Sequence, residues 1–246
     1  MRKLDENLWL LPYPLKMLGA DLRRNVTIVR LRSGDLVIHS TAPFDPSDVA
    51  KIRALGRPAW LVEAMRFHDT FSRQGRDIFP DLPFLAPEGF SDIVHFPTRP
   101  LLPPPAIWGD ELFILPILGN DAYGEHVCFH APSRTLIVAD LAFNFSPSEP
   151  LWTGLLLRAA VGSEHQPGMS RPFRAAIKNE AAFRRSMEQM FAWDFERVIV
   201  GHGDVIETQG RQKLARMLER AGFPDITGSP VPDAPPHPEC AAVARQ

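Results

Sequence analysis

Two stretches decide the fold: Arg134–Phe145, RTLIVADLAFNF, and Val198–Ile206, VIVGHGDVI. In each, a short run rich in Val and Ile ends abruptly in a side chain that can bind a metal or move a proton. Thr135 to Ala139 run into Asp140, and Val198 to Val200 run into Gly201-His202-Gly203. Runs of this length and composition read as buried strands. A buried strand delivers the first polar residue beyond it to the edge of its sheet, where folds containing parallel strands keep their sites. Asp140 follows apolar residues, where an unpaired carboxylate is costly. It must therefore cap a backbone group, pair with a charge or bind a metal. Glycine on both sides of His202 allows a tight turn that presents the ring, although a turn histidine bonded to a carbonyl is the plainer alternative.

Outward from these stretches, strand patterns dominate the first half of the chain. Asn7 to Leu11 reads as a short strand. NVTIVRL (25–31) and LVIH (36–39) flank Arg32-Ser33-Gly34-Asp35 as a hairpin. A helix follows over DVAKIRALG, with Asp45 or Ser47 as its cap and Gly56 as its stop. Further strands are expected at Ala59–Ala64, Leu82–Ala86, Ile93–Phe96 and Glu111–Pro116. Thr70 to Phe79 reads as a short helix. A second hairpin joins Glu125–His130 to Thr135–Ala139. The second half turns helical, over Leu151–Val161 (apolar nearly all round, as a pocket wall would be), Arg171–Trp193 and about Thr208–Ala221. Residues 1–223 are expected to form one domain, and the Pro-rich stretch 224–246 a disordered tail.

Composition narrows the function classes. The 246 residues are 45% hydrophobic and 23% charged, with a net charge of −2. There is no basic field to recruit nucleic acid. No run approaches the ~18 apolar residues that would span a bilayer. Pro12 and Pro14 interrupt the short apolar stretch near the start, so no signal-peptide core is expected. Cys128, in a strand-like run, and Cys240, in a polar tail, do not suggest a disulfide framework, and a reducing, cytoplasmic setting is expected.

Other groups with chemical capacity are His68-Asp69, after the Ala59–Ala64 strand, and His126 and His130, which share one face of a strand. Asp69 also suits the N-cap of the following helix, and His126 also reads as a core or surface histidine. His39 and Ser40 are adjacent on a strand and so point to opposite faces, which makes them no nucleophile–base pair. Phosphate-cradling glycine loops, a GxSxG elbow and a CxxC pair are absent from the sequence.

In this order, these segments resemble the metallo-β-lactamase superfamily of metal-dependent hydrolases, which includes hydroxyacylglutathione hydrolase. NVTIVRLRSGDLVIHS is similar to its opening hairpin. GEHVCFHAPSRTLIVAD is similar to its later hairpin, whose second strand ends in a metal-binding Asp, matched by Asp140. VIVGHGDVI is similar to its terminal segment, whose GHG histidine is a ligand, matched by His202. More narrowly, HSTAPFD, APSRTLIVADLAFNF and FAWDFERVIVGHGDVIETQGR resemble a branch described only as a domain of unknown function. The resemblance covers residues 5 to 222.

It implies an α+β or α/β chain folded as a four-layer αβ/βα sandwich of two mixed sheets, with the site along one edge. The family's HxHxDH motif is reduced to EAMRFHDTF, which keeps His68 and Asp69. Its GHTxG-like run reads Gly119-Asn120-Asp121-Ala122-Tyr123-Gly124, and the Asp of its early LIDTG-like turn reads His39 or Ser40. The resemblance therefore implies a reduced site in which His68, Asp140 and His202 hold one divalent metal (Zn, Mn or Fe), with Asp69 or His126 as supporting or proton-carrying groups. The expected activity is hydrolysis of an ester, thioester or phosphoester on a small, lipophilic substrate. The rival is a metal-free, non-catalytic member of the fold that binds a small molecule or a partner. The oligomeric state is not written in the sequence.

Overall fold

A computed structural model of the chain describes residues 1–17, 19–145 and 166–226. The first half supplies β1 (Arg2–Asp5), β2 (Leu8–Tyr13), β3 (Lys16–Met17), β4 (Ala20–Asp21), β5 (Arg24–Arg30) and β6 (Asp35–His39). Helix α1 (Pro46–Leu55), β7 (Arg57–Val62), α2 (Ser72–Ile78), β8 (Phe84–Ala86), α3 (Phe90–Val94) and β9 (Arg99–Pro100) follow. The second half supplies β10 (Leu112–Pro116), β11 (His126–His130), β12 (Thr135–Ile137), α4 (Arg171–Ala176), α5 (Glu180–Phe191), β13 (Arg197–Ile199) and α6 (Gly210–Arg220).

Two mixed sheets result. The first runs β1-β2-β5-β6-β7-β8-β9, antiparallel as far as β6 and parallel beyond it. The second runs β10-β11-β12-β13, with its last pair parallel. Strands β3 and β4 form a separate ribbon.

Alternation along the strands builds the layers, because successive side chains leave a strand on opposite faces. Leu8, Leu10, Val29, Val37, Val62 and Leu85 point from the first sheet toward Leu112, Ile114, Cys128, Ile137 and Ile199 of the second. Their neighbours Trp9, Leu11, Val26, Ile28, Leu36 and Ile38 point the other way, against Ile52 of α1 and Phe90 and Val94 of α3. On the far side, Val127, Phe129, Leu136 and Val198 meet Phe183, Met187 and Met190 of α5 and Leu214, Met217 and Leu218 of α6. Three apolar seams thus separate four layers, the αβ/βα sandwich expected from the sequence. Each fully buried side chain in them contributes about 1.5–3 kcal/mol relative to exposure.

Two local expectations are corrected. Ile93–Phe96 is no strand: Phe90–Val94 form α3, entered through Gly89 at φ 78° and left through His95 at φ 57°. A helix turn there buries Phe90 and Val94 and leaves Ile93 exposed, a spacing that a four-residue apolar run could not disclose. The single helix expected over Arg171–Trp193 is two. Ile177 takes an extended conformation, and the carbonyl of Gly119 accepts the Lys178 N–H at 2.8 Å. Asn179 then restarts the helix by accepting the Ala182 N–H at 3.0 Å, as an N-cap does. The expected helix at Leu151–Val161 and the tail at 227–246 lie outside the described residues. Phe223 and Ile226 pack into the core beside the second sheet.

Candidate metal centre

Three loops meet where parallel strands end. The loop after β7 carries His68, the chain beyond β12 carries Asp140, and the turn after β13 carries His202. The second and third are locked together: Val138 donates to the Ile199 carbonyl at 2.9 Å, and Gly201 to the Ala139 carbonyl at 3.1 Å. A Cβ on Gly201 would stand 2.8 Å from that carbonyl and 3.0 Å from the His68 ring. A Cβ on Gly203, at φ 96°, would stand 2.0 Å from the Asn144 carbonyl. Both glycines therefore exist for close approach, and Gly203 also for its left-handed conformation. Asn25, at the start of β5, completes the clamp: its side-chain amide donates to the carbonyls of Val200 and Gly203, each at 2.9 Å.

The three side chains converge. His68 Nε2 lies 3.2 Å from Asp140 Oδ1, His202 Nε2 lies 3.4 Å from the same oxygen, and the two Nε2 atoms are 3.2 Å apart. Among the described residues, no other group of three His, Cys, Asp or Glu offers ligand atoms so close. His202 Nδ1 lies 2.6 Å from the Arg23 carbonyl. A carbonyl only accepts, so Nδ1 carries a proton, and in the neutral ring Nε2 turns its lone pair inward. Burial, then the charge of Arg24, pushes His68 down to about 3, so its ring is neutral at pH 7. Burial acts to raise Asp140, but the hydrogen bonds to His202 and His68 outweigh it and hold the carboxyl well below its usual range. An ion bound tetrahedrally at 2.0–2.1 Å spaces its ligand atoms by about 3.3 Å. The observed 3.2–3.4 Å separations fit one such ion, with one position left for water or substrate.

Behind the triad stand three ionisable residues that the sequence reading passed over. Glu125, 1% exposed, accepts the backbone N–H of Ala139 at 2.8 Å and of Asp140 at 3.0 Å, fixing the turn that presents Asp140. Burial and the neighbouring Asp140 push its carboxyl up to about 8. Arg24, 1% exposed, donates from Nη2 to the His68 carbonyl at 3.0 Å. Glu63 is fully buried, and Thr41 donates both its N–H (2.7 Å) and its hydroxyl (2.5 Å) to Oε1. Burial raises its carboxyl, while the charge of Arg24 opposes the rise. A signal for Glu63 and Glu125 was available: each is a carboxylate next to an apolar run, the same anomaly that singled out Asp140. Arg24 follows Arg23 and looked like half of a solvated pair.

The remaining expected residues fall outside the triad. Asp69 is exposed and does not cap α2, whose N-cap position is Phe71; the Asp69 backbone carbonyl accepts the Ser72 N–H instead. His126 is tied through Nδ1 to the Gly124 carbonyl at 3.0 Å, and its own N–H donates to the Ala64 carbonyl at 2.7 Å. Neither side chain hydrogen-bonds to a triad side chain among the described residues. Aromatic rings line the surroundings. Phe143 stacks on the His202 ring at 5.6 Å, and the exposed Phe67 meets Tyr123 edge-on at 4.9 Å.

Comparison with solved structures agrees with this architecture. The chain superposes on the DIM-1 metallo-β-lactamase with a TM-score of 0.59 at 15% identity, covering 90% of this chain and 95% of that one. A metallo-β-lactamase from Erythrobacter litoralis, solved with β-mercaptoethanol in its active site, gives 0.59 at 13% identity, with 89% and 94% covered. The mono-zinc form of FIM-1 from Pseudomonas aeruginosa gives 0.56 at 14%, with 91% and 96% covered. The chain has the metallo-β-lactamase fold. No family model matches the sequence, and no curated protein does. No helix among the described residues is long and apolar enough to cross a membrane.

Proposed function

We propose that this chain is a metal-dependent hydrolase of esters, thioesters or phosphoesters, working with one divalent ion held by His68, Asp140 and His202. The observation that carries this reading is the set of three converging donor atoms 3.2–3.4 Å apart, one of them with its proton committed to an outward carbonyl. Three donor atoms this close need a proton or a cation among them, and one ion in their midst would satisfy all three. Bound there, the ion would polarise a carbonyl or phosphoryl oxygen and bring the pKa of a water towards neutrality. That the mono-zinc form of FIM-1 shares the fold supports a single-ion centre. Zinc, manganese and iron all accept His/Asp ligation.

The chain's own residues orient the reaction. Arg23 and Asn25 set the His202 ring and its turn, and Glu125 sets Asp140. Asp69, exposed beside His68, is suited to carry a proton between the site and solvent. His126, its ring tied to Gly124, is suited to holding the junction of β11 with the His68 loop. Phe67, 55% exposed, and its partner Tyr123 offer an apolar landing for a small substrate with a lipophilic portion.

The test is elemental analysis of untagged protein never exposed to chelator, with the melting temperature followed in parallel. About one equivalent of transition metal is expected, lost in His202→Ala, together with a chelator-induced fall in melting temperature that Asp140→Ala abolishes. Less than about a tenth of an equivalent after incubation with Zn, Mn or Fe would replace this reading with the metal-free binding module.

A further inference from the structure

The two histidines of the triad are held differently, and the difference leaves two buried atoms without partners. His202 has its outer nitrogen on a carbonyl. His68, 3% exposed, has an outer nitrogen, Nδ1, with no hydrogen-bond partner. The Oε2 of Glu63 is likewise buried and unpartnered, and it lies 3.9 Å from that Nδ1. Buried polar atoms are rarely left unpaired, and these two are a donor-capable nitrogen and an acceptor facing one another. The separation is too short for a water in line between them, and a small rotation of either group closes it to hydrogen-bond length.

We propose that Glu63 is the positioning residue of the metal centre: its Oε2 accepts the His68 Nδ1–H and so turns the His68 Nε2 lone pair toward the ion. This rests on the reading of the triad as a metal centre. The orientation of Glu63 is already decided by its other oxygen. Oε1 receives both donors of Thr41, and the Glu63 N–H donates to the Leu85 carbonyl at 2.9 Å, so the carboxylate has one free oxygen and one direction for it. Arg24 Nη2 donates to the His68 carbonyl and pins the backbone that carries the ring. Histidine ligands need their second nitrogen occupied in this way, because the outer hydrogen bond selects the tautomer.

Glu63→Gln tests the proposal with little change of shape. The two Thr41 donors hold the amide oxygen where Oε1 stood, so the amide NH2 replaces Oε2 and faces Nδ1. Nδ1 must then accept, and the proton moves to Nε2, where it blocks the ion. Protein labelled with 15N-histidine, zinc-loaded and metal-free, is read by long-range 1H–15N correlation, with zinc affinity measured against a chromophoric chelator. The expected result is a proton on His68 Nδ1 in the wild type. Glu63→Gln should shift it to Nε2 and weaken zinc binding by about ten- to a hundredfold, with the circular dichroism unchanged. A wild-type His68 carrying its only proton on Nε2 overturns the proposal. So does a Glu63→Gln protein with the same tautomer and zinc affinity within about twofold of wild type. If Glu63→Gln fails to fold, the wild-type tautomer decides alone. A wild type that takes up no zinc sinks the hydrolase reading separately, and the tautomer in the metal-free protein still judges Glu63.

Discussion

His202 and His68 face each other across 3.2 Å, yet they are held in place by unlike means. The His202 turn is fixed through its backbone. Two glycines admit neighbouring carbonyls, Asn25 takes up two more, and the ring's outer nitrogen bonds to a fifth. The His68 loop has no such turn. It is held at the His68 carbonyl by Arg24 and Ser72, while Glu63 stands 3.9 Å from the ring. A backbone-held ligand tolerates almost no change in residue size, whereas one held by side chains is sensitive to charge and proton placement.

Substitutions can break or sharpen that contrast. The largest effect is expected from Gly203→Ala, which drives a Cβ into the Asn144 carbonyl and imposes a left-handed φ on alanine. A loss of about 4 kcal/mol in chemical denaturation would bear out a turn with no slack, given what such strain and overpacking cost. A loss below about 1 kcal/mol would show that the turn adapts.

A pH series probes a buried histidine outside the pair. Burial pushes His130 down to about 4, from an ordinary value of 6.5. Its folded-state value is depressed, so the unfolded chain binds the extra proton first. Stability should therefore be intact above pH 6.5 and fall as pH drops toward 4, by at most about 3 kcal/mol from this residue. His39, also pushed to about 4, and His68, pushed to about 3, add to the same window. In His130→Leu the slope between those pH values should flatten by its share, and an unchanged slope would contradict the assignment.

Asn25→Ala ranks next. It strands the Val200 and Gly203 carbonyls and should cost about 2 kcal/mol, with the His202 ring resonances broadened while those of His68 stay sharp. Equal disturbance of both rings would erase the distinction between the two loops. The smallest effect on stability belongs to Phe67→Ser, within about 0.5 kcal/mol because the ring is already exposed. If Phe67 receives substrate, KM should rise with kcat little changed.

The same contrast explains what could be read in the sequence. The sandwich was legible through the resemblance of NVTIVRLRSGDLVIHS, GEHVCFHAPSRTLIVAD and VIVGHGDVI to family segments, whereas the residues by themselves read only as strands and two hairpins. His202 and Asp140 were legible because a strand end or a glycine pair is a local signal. His68 and Asp140 were found without their supports, since Arg24 acts across the fold and Glu63 and Glu125 leave only the faint mark of a charge beside apolar residues. Asp69 looked like a helix cap by position alone, and the helix begins two residues later, at Phe71–Ser72. The break at Ile177–Asn179 depends on Gly119, more than fifty residues earlier, whose carbonyl takes up the Lys178 and Asn179 N–H groups.

The grip of Asn25 on the His202 turn spans 175 residues of chain, from β5 to the turn after β13. During synthesis the opening sheet emerges with its amide and carbonyl groups ready, but the turn that they fasten is still inside the ribosome. A nascent chain ending before residue 197 lacks β13 and His202, and so has no site, however complete its first sheet. Under the proposed reading the three donor atoms therefore meet only once His202 has been made, and a chain that stops short of it holds no more than two of them.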